Sequence, residues 1–480
     1  MSYIINGREP ALVFKFFEDI AAIPHGSGNE KGIADYLESF AKSRKLEYTR
    51  DRIHNIFIKK PATKGRENDP AILFQGHTDM VCEKNEGTEH DFLKDGLDLY
   101  LDGNLLRARG TTLGADDGVA VAIMLALLDG ALESHPAIEC LFTVSEETGM
   151  DGVNGFDFSQ VKARKLINLD SAELDTIVVG CAGGTRCNLT VNGELSEFNG
   201  EVLKITVNGL AGGHSGENIN DGRANANKLM GRILLALKEF GYNLVSLNGG
   251  GKSNAIPREC RAIILTDNIQ AAKERVAKIS DEISSEMAEC DHNFAVICGV
   301  ENMSGQCFDK KTTNSIVGLL GTVDNGVFEM SKKIPGFVEF SRNLGVICTE
   351  ANNVVFTFFA RSERNAQLEA SNRELEAMAE LCGATVEYSE SYGGWSFDGY
   401  TSLLKAYTDA YRKIMGNDAK VCSIHAGLEC GIIKAAIPDM DIIAVGPDAY
   451  GIHSPDEALN LDTVTSIFEI IKDVLSKPLN

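Results

Sequence analysis

Two adjacent carboxylates, Asp116 and Asp117, stand between a glycine-bearing turn and an apolar run in TTLGADDGVAVAIMLALL, residues 111–128. Groups of similar chemistry recur in other short polar segments. His77 and Asp79 lie in GHTDMV, Glu146 and Glu147 in SEETGMDG, Asp170 in DSAE, and His453 in AYGIHSPDE. Taken singly, each has an ordinary reading: an HxD pair ends many strands, an EE pair is usually a solvated surface, and a His before Ser-Pro is usually a loop residue. Taken together, His77, Asp79, Asp116, Glu146, Glu147, Asp170 and His453 are two histidines and five carboxylates, all in turn-like segments. Carboxylates gathered at one place repel one another and raise their own pKa values unless a cation neutralises them. Imidazole and carboxylate donors without thiolate suit zinc, with manganese or cobalt as possible occupants. Two metals a few ångströms apart need about one bridging carboxylate and two further ligands each, which this set can supply. One carboxylate then remains for proton transfer, and the Glu146–Glu147 pair offers one acid for a metal and one for a base.

The elements that must position these groups follow from periodicity. From about residue 12 to 190, amphipathic helical patterns alternate with short apolar runs, AILFQ at 71–75, IECLFTV at 138–144 and KLINL at 165–169, which predicts an α/β layer with a largely buried sheet. Each run leads into one of the polar segments above, and open α/β sheets bind ligands beyond the carboxyl ends of their strands. The apolar run after Asp117 reads as a buried helix behind the site. The middle of the chain differs. Strand-like EVLKITVNG (201–209), RAIILT (261–266) and NVVFTFFARS (353–362) are interleaved with long helical patterns, predicting a smaller α+β, ferredoxin-like layer. The first pattern then returns with TSLLKAYTDAYRKIM, DIIAVG and the loop carrying His453, so the middle domain reads as inserted into the first.

Composition bounds the partners. The chain has 480 residues, 44% hydrophobic and 24% charged, the make-up of an ordinary globular protein able to bury a sizeable core. A formal net charge of −23 disfavours nucleic acid and anionic membranes and favours a small substrate. No segment reaches the ~18 apolar residues of a membrane span, and the start lacks the features of a secretory signal, so a cytoplasmic location is expected. The twelve cysteines are dilute and irregularly spaced, which predicts reduced, mostly buried thiols, and Cys82 receives no catalytic role.

The segments HTDMV, GTTLGADDGVAVA, EETGMDG, NLDSAE, GLAGGHSGENI, NAIPRE, HAGLECG and IHSPDE, in this order over essentially the whole chain, resemble the bacterial aminoacyl-histidine dipeptidases. These Xaa-His or cytosol non-specific dipeptidases belong to the co-catalytic dizinc peptidases, with the carnosinases among their relatives. The resemblance implies that His77 and Asp170 bind one zinc, that Glu147 and His453 bind the other, and that Asp116 bridges the two. It makes Asp79 the residue that orients His77, Glu146 the general base, and the peptide after Asp116 cis. His214 in GGHSG is expected to reach a partner subunit's active site and stabilise the oxyanion. Asn254 and Arg361 are expected to hold the substrate carboxylate, and Gly427 to lie near the substrate's C-terminus. His425 and Glu429 stay outside the catalytic set.

The implied fold is a catalytic domain, residues 1–186 and 396–480, with a mixed sheet sandwiched by helices. Residues 187–395 form the inserted lid and dimerisation domain. The implied activity is hydrolysis of dipeptides by a zinc-bridged hydroxide, preferentially Xaa-His including β-alanyl-histidine, with broader dipeptide activity. It would use two Zn2+ per subunit in a homodimer. The rivals are an N-acyl amino acid deacylase with the same metal chemistry and a non-catalytic dimeric peptide-binding protein.

Overall fold

The computed structural model describes residues 3–287, 289–397 and 399–479. The chain divides into two compact units, one comprising Met1–Gly180, Trp395–Ser423 and Leu428–Asn480, the other Cys181–Gly394 and Ile424–Gly427.

The first unit is built on an eight-stranded mixed sheet. At its centre, strand Ile72–His77 runs parallel to Ile138–Thr143 on one side and to Lys165–Asn168 on the other, and Asp441–Ala444 continues the parallel run. Glu47–Arg50 and Ile56–Lys60 add antiparallel strands at one side, and Thr176–Cys181 pairs antiparallel beyond Asp441–Ala444. Ile72–His77 and Ile138–Thr143 are buried at every position. Successive side chains point to opposite faces, so both faces of the sheet are covered, as parallel strands require. Helix Ala115–Leu128 packs on Ile72–His77 and on helix Ala11–Ala21. Of its fourteen residues only Asp116 escapes full burial, the signature of a helix apolar all round and enclosed by the core. A four-stranded sheet, ordered Ala449–Tyr450, Ala458–Asn460, Leu105–Ala108 and Leu99–Asp102, frames the loop that carries His453.

The second unit holds its own core under a nine-stranded sheet whose pairings are all antiparallel. Helices Ala226–Ala236, Ile269–Ser284, Lys310–Thr322 and Asn365–Cys382 pack with it. The α+β character matches the expectation, but the sheet extends well beyond a ferredoxin-like layer. Strand Ala295–Phe308 lies at the edge with only its last two residues buried, so it lacks the apolar alternation that marks a half-buried strand. Among the described residues, no helix is long and apolar enough to cross a membrane.

Candidate metal centre

The parallel register brings the polar segments to one sheet edge, because His77 pairs with Thr143 and Gln75 with Asn168 at the carboxyl ends of neighbouring strands. His77 Nε2 lies 3.0 Å from Asp116 Oδ1 and 3.9 Å from Asp170 Oδ1. Its Nδ1 faces the Asp79 backbone oxygen at 3.0 Å and the Asp79 carboxylate at 3.4 Å. A proton on Nδ1, shared with Asp79, leaves the Nε2 lone pair for a metal. Asp79 is itself fixed, accepting from Ser27 Oγ at 2.7 Å and from the backbone N–H groups of Glu146 at 3.0 Å and Glu147 at 3.3 Å. One carboxylate therefore orients the imidazole and shapes the turn carrying both glutamates.

Asp116 faces two ways. Its Oδ1 meets His77, while its Oδ2 lies 3.2 Å from His453 Nε2, which in turn sits 2.8 Å from Glu147 Oε1. Donor atoms of His77, Asp116 and Asp170 all lie within 4.8 Å of one another, as do those of Asp116, Glu147 and His453, and those of His77, Glu146 and Glu147. The first two groups share Asp116.

The electrostatics carry the strain of uncompensated charge. Burial, then the nearby Asp116, pushes Asp170 up to about 7. Glu146 is raised well above the usual carboxylate value, chiefly by burial. Burial opposes charge on His77, yet hydrogen bonds to Asp116 and Asp79 outweigh it and raise its pKa well above the ordinary value. His453 is raised to about 10 by its hydrogen bonds to Asp116 and Glu147. The cluster gathers acids that a cation would neutralise, and its imidazole and carboxylate donors fit divalent metal.

The Asp116–Asp117 peptide is cis. Asp117 belongs to none of these donor groups, and its buried Oδ2 accepts the His77 backbone N–H at 3.2 Å. That approach requires glycine before His77, because a Cβ on Gly76 would stand 2.4 Å from Asp117 Oδ2.

In the second unit, His214 lies in a two-residue ladder with Ala255–Ile256. Arg361 Nη2 is 3.2 Å from His214 Nε2, its Nε is 3.4 Å from Ser215 Oγ, and its Nη1 is 3.4 Å from the Tyr392 hydroxyl. Arg361 is 4% exposed and stacks on Phe359, and it makes no ion pair among the described residues. Burial and then the Arg361 charge lower the pKa of His214. Asn254 is exposed, and its backbone carbonyl accepts the Ser215 N–H at 2.9 Å. Gly427 lies against the Tyr392 ring, which a Cβ would meet at 2.8 Å. His425, left aside in the sequence, is buried and bonds Ser341 Oγ at 2.7 Å. Burial, then Arg361 and His214, pushes it down to about 3, which keeps it neutral.

Glu429, also left aside, is fully buried beneath the candidate donor cluster. It accepts from Gln75 Nε2 at 2.5 Å and Thr143 Oγ1 at 2.8 Å. Gln75 in turn accepts from Asn168 Nδ2 at 2.8 Å, and Asn168 Oδ1 receives the Asp170 N–H at 3.2 Å. Burial raises the Glu429 carboxyl to about 7 from its ordinary value of 4.5. Between those values the folded chain keeps a proton that the unfolded chain has lost, so this group lowers stability as pH rises through the window. Glu429→Gln removes that dependence. In metal-free protein, its urea-unfolding free energy is expected to gain on wild type by about 2 to 3 kcal/mol between pH 5 and 8. A constant gap would show that Glu429 stays ionised.

The sequence profile of peptidase family M20/M25/M40 matches residues 73–477, and the chain belongs to this metallopeptidase family. The cytosol non-specific dipeptidase of Escherichia coli is 37% identical over 482 residues, covering 98% of this chain and 99% of that protein. The crystal structure of aminoacylhistidine dipeptidase from Vibrio alginolyticus superposes with a TM-score of 0.89 at 36% identity, covering 98% of this chain and 97% of the other. Aminopeptidase PepT from Bacillus cereus shares the fold at a TM-score of 0.58 and 16% identity, covering 97% of each chain.

Proposed function

We propose that this chain hydrolyses dipeptides at a centre of two zinc ions, with Xaa-His dipeptides, including β-alanyl-histidine, preferred among a broader range. The observation that carries the reading is Asp116, whose two oxygens face His77 and His453 and so belong to both ligand groups. The names of the Escherichia coli and Vibrio relatives support the substrate class. In this reading His77 and Asp170 hold one zinc, Glu147 and His453 the other, and Asp116 both, with manganese or cobalt as substitutes. The bound pair supplies Lewis acidity, polarising the scissile carbonyl and acidifying the attacking water.

The chain's own groups do the rest. Glu146 takes the water's proton and returns it to the departing amine. Asp79 keeps His77 in the tautomer that leaves Nε2 free. The second unit is assigned as lid and dimerisation domain of a homodimer, with His214 stabilising the oxyanion across the dimer. Arg361, buried and without an ion pair among the described residues, takes the substrate carboxylate, aided by Asn254 and the backbone at Gly427. A cytosolic location is part of the proposal, supported by the name of the Escherichia coli relative.

Arg361→Ala is expected to raise KM for dipeptides by about 10- to 100-fold, the worth of a charge-assisted hydrogen-bond pair. Steady-state kinetics with a dipeptide and its C-terminal amide check the role, since the variant should no longer distinguish them. The function itself is tested by a substrate panel on protein of known metal content: Xaa-His dipeptides, other dipeptides and N-acetyl amino acids. Turnover confined to the N-acetyl compounds would overturn it.

A further inference from the structure

We propose that Glu457 is a positioning residue that sets the geometry of the shared ligand Asp116 and of His453 together, an inference that rests on the two-metal reading above. Its carboxylate is 2% exposed and accepts four consecutive backbone N–H groups. Oε2 takes those of Leu113 at 2.7 Å and Gly114 at 3.0 Å, and Oε1 takes those of Ala115 at 2.8 Å and Asp116 at 3.3 Å. These are the N–H groups at the start of helix Ala115–Leu128, which have no acceptor within the helix. The residue that would ordinarily cap them is Gly114, held at φ +66° and without a side chain to offer. A carboxylate from more than 300 residues away in sequence does the capping instead, where a negative charge suits the helix dipole.

The consequence for the site lies in what each end of this clamp carries. One end is the backbone of Asp116 itself. The other is four residues from His453 in a tightly turned loop. The Glu457 N–H bonds the Ser454 carbonyl at 3.1 Å, Ser454 Oγ bonds the Gly451 carbonyl at 2.7 Å, and Arg107 Nη1 bonds the Asp456 carbonyl at 2.8 Å. Strand Ala458–Asn460 then anchors the loop beside Leu105–Ala108. His453 Nε2 and Asp116 Oδ2 are 3.2 Å apart, and Glu457 is a direct tie between the two segments that present them. Glu457 belongs to none of the candidate donor groups, and its clamp is made to backbone N–H groups, so its action runs through ligand placement.

Glu457→Gln tests this. The amide keeps one acceptor oxygen but turns an NH2 group toward two of the four N–H donors, so the clamp opens on one side while side-chain volume is retained. Zinc affinity is read by competition with a chromophoric chelator on protein with native far-UV circular dichroism. The expected result is affinity weakened about 10- to 100-fold, with kcat reduced at limiting zinc, KM unchanged, and activity recovered in excess zinc. Glu457→Asp keeps the charge but withdraws it by one methylene, and should fall between wild type and Glu457→Gln; it carries the same readouts if the glutamine variant does not fold. A purely structural role predicts lowered stability of the metal-free variants with wild-type zinc affinity, and that outcome overturns the proposal. Wild-type protein that binds no zinc would instead sink the two-metal reading, which separates the two failures.

Discussion

Glu146→Gln leaves a folded, metal-competent protein whose kcat for dipeptide hydrolysis falls by about 100- to 10,000-fold, the range for losing a positioned general base. The fold survives because the turn is held through the Glu146 backbone N–H, which donates to Asp79 and is the same in both residues. In the proposed ligand set the metals stay, because the two groups joined by Asp116 do not include Glu146. What disappears is a basic oxygen beside the donor atoms of His77 and Glu147, and an amide cannot take a proton from water at neutral pH. The measurement pairs steady-state kinetics with metal analysis on the same sample. Turnover near wild type with full metal occupancy would remove the base assignment from Glu146. Loss of one metal would mean that Glu146 is a ligand and that the roles of the two glutamates need exchanging.

Much of this site was legible before the fold, because the polar segments follow apolar runs that become neighbouring parallel strands. Once Ile72–His77, Ile138–Thr143 and Lys165–Asn168 pair in parallel, the residues just past their ends converge. The buried helix after Asp117 was legible for a similar reason, since the eleven small and apolar residues Gly118–Leu128 have few other places to go. Assigning His214, Asn254, Arg361 and Gly427 needed the resemblance to a known family, since no periodicity distinguishes a buried arginine from a strand-end charge. The supporting network was not legible at all. Glu457 reads as the last polar residue of a loop, and Gln75 as an interruption of an apolar strand. Their partners are Leu113–Asp116 and Glu429, more than 300 residues away in each case, and only tertiary approach reveals them. The edge strand Ala295–Phe308 escaped notice because an exposed edge imposes no apolar alternation.

Removal of the metals with a chelator abolishes hydrolysis and lowers the temperature of unfolding, and the second effect grows with pH. A ligand that binds only the folded state stabilises it by RT ln(1 + [L]/Kd), about 4 kcal/mol at a thousandfold excess over Kd. Protons set the pH dependence. In the metal-free site His77 is raised well above its ordinary pKa and His453 to about 10. Their contribution to stability is fully present below the unfolded value of about 6.5 and is lost as pH rises through the folded values. Asp170, raised to about 7 from 3.8, acts in the same direction: the folded chain keeps its proton where the unfolded chain does not, so stability falls between those values. With His77, His453 and Asp170 as the proposed ligands, metal binding needs both imidazoles neutral and Asp170 ionised, so it expels these protons and strengthens as they become easier to remove. Calorimetry at pH 6, 7 and 8 should therefore show the difference in unfolding temperature between loaded and metal-free protein widening with pH. Titrations of zinc into metal-free protein, in buffers of different ionisation enthalpy, should show net proton release that shrinks as pH rises. A difference that narrows with pH, or zinc binding without proton release at pH 6, would remove His77, His453 and Asp170 from the ligand set.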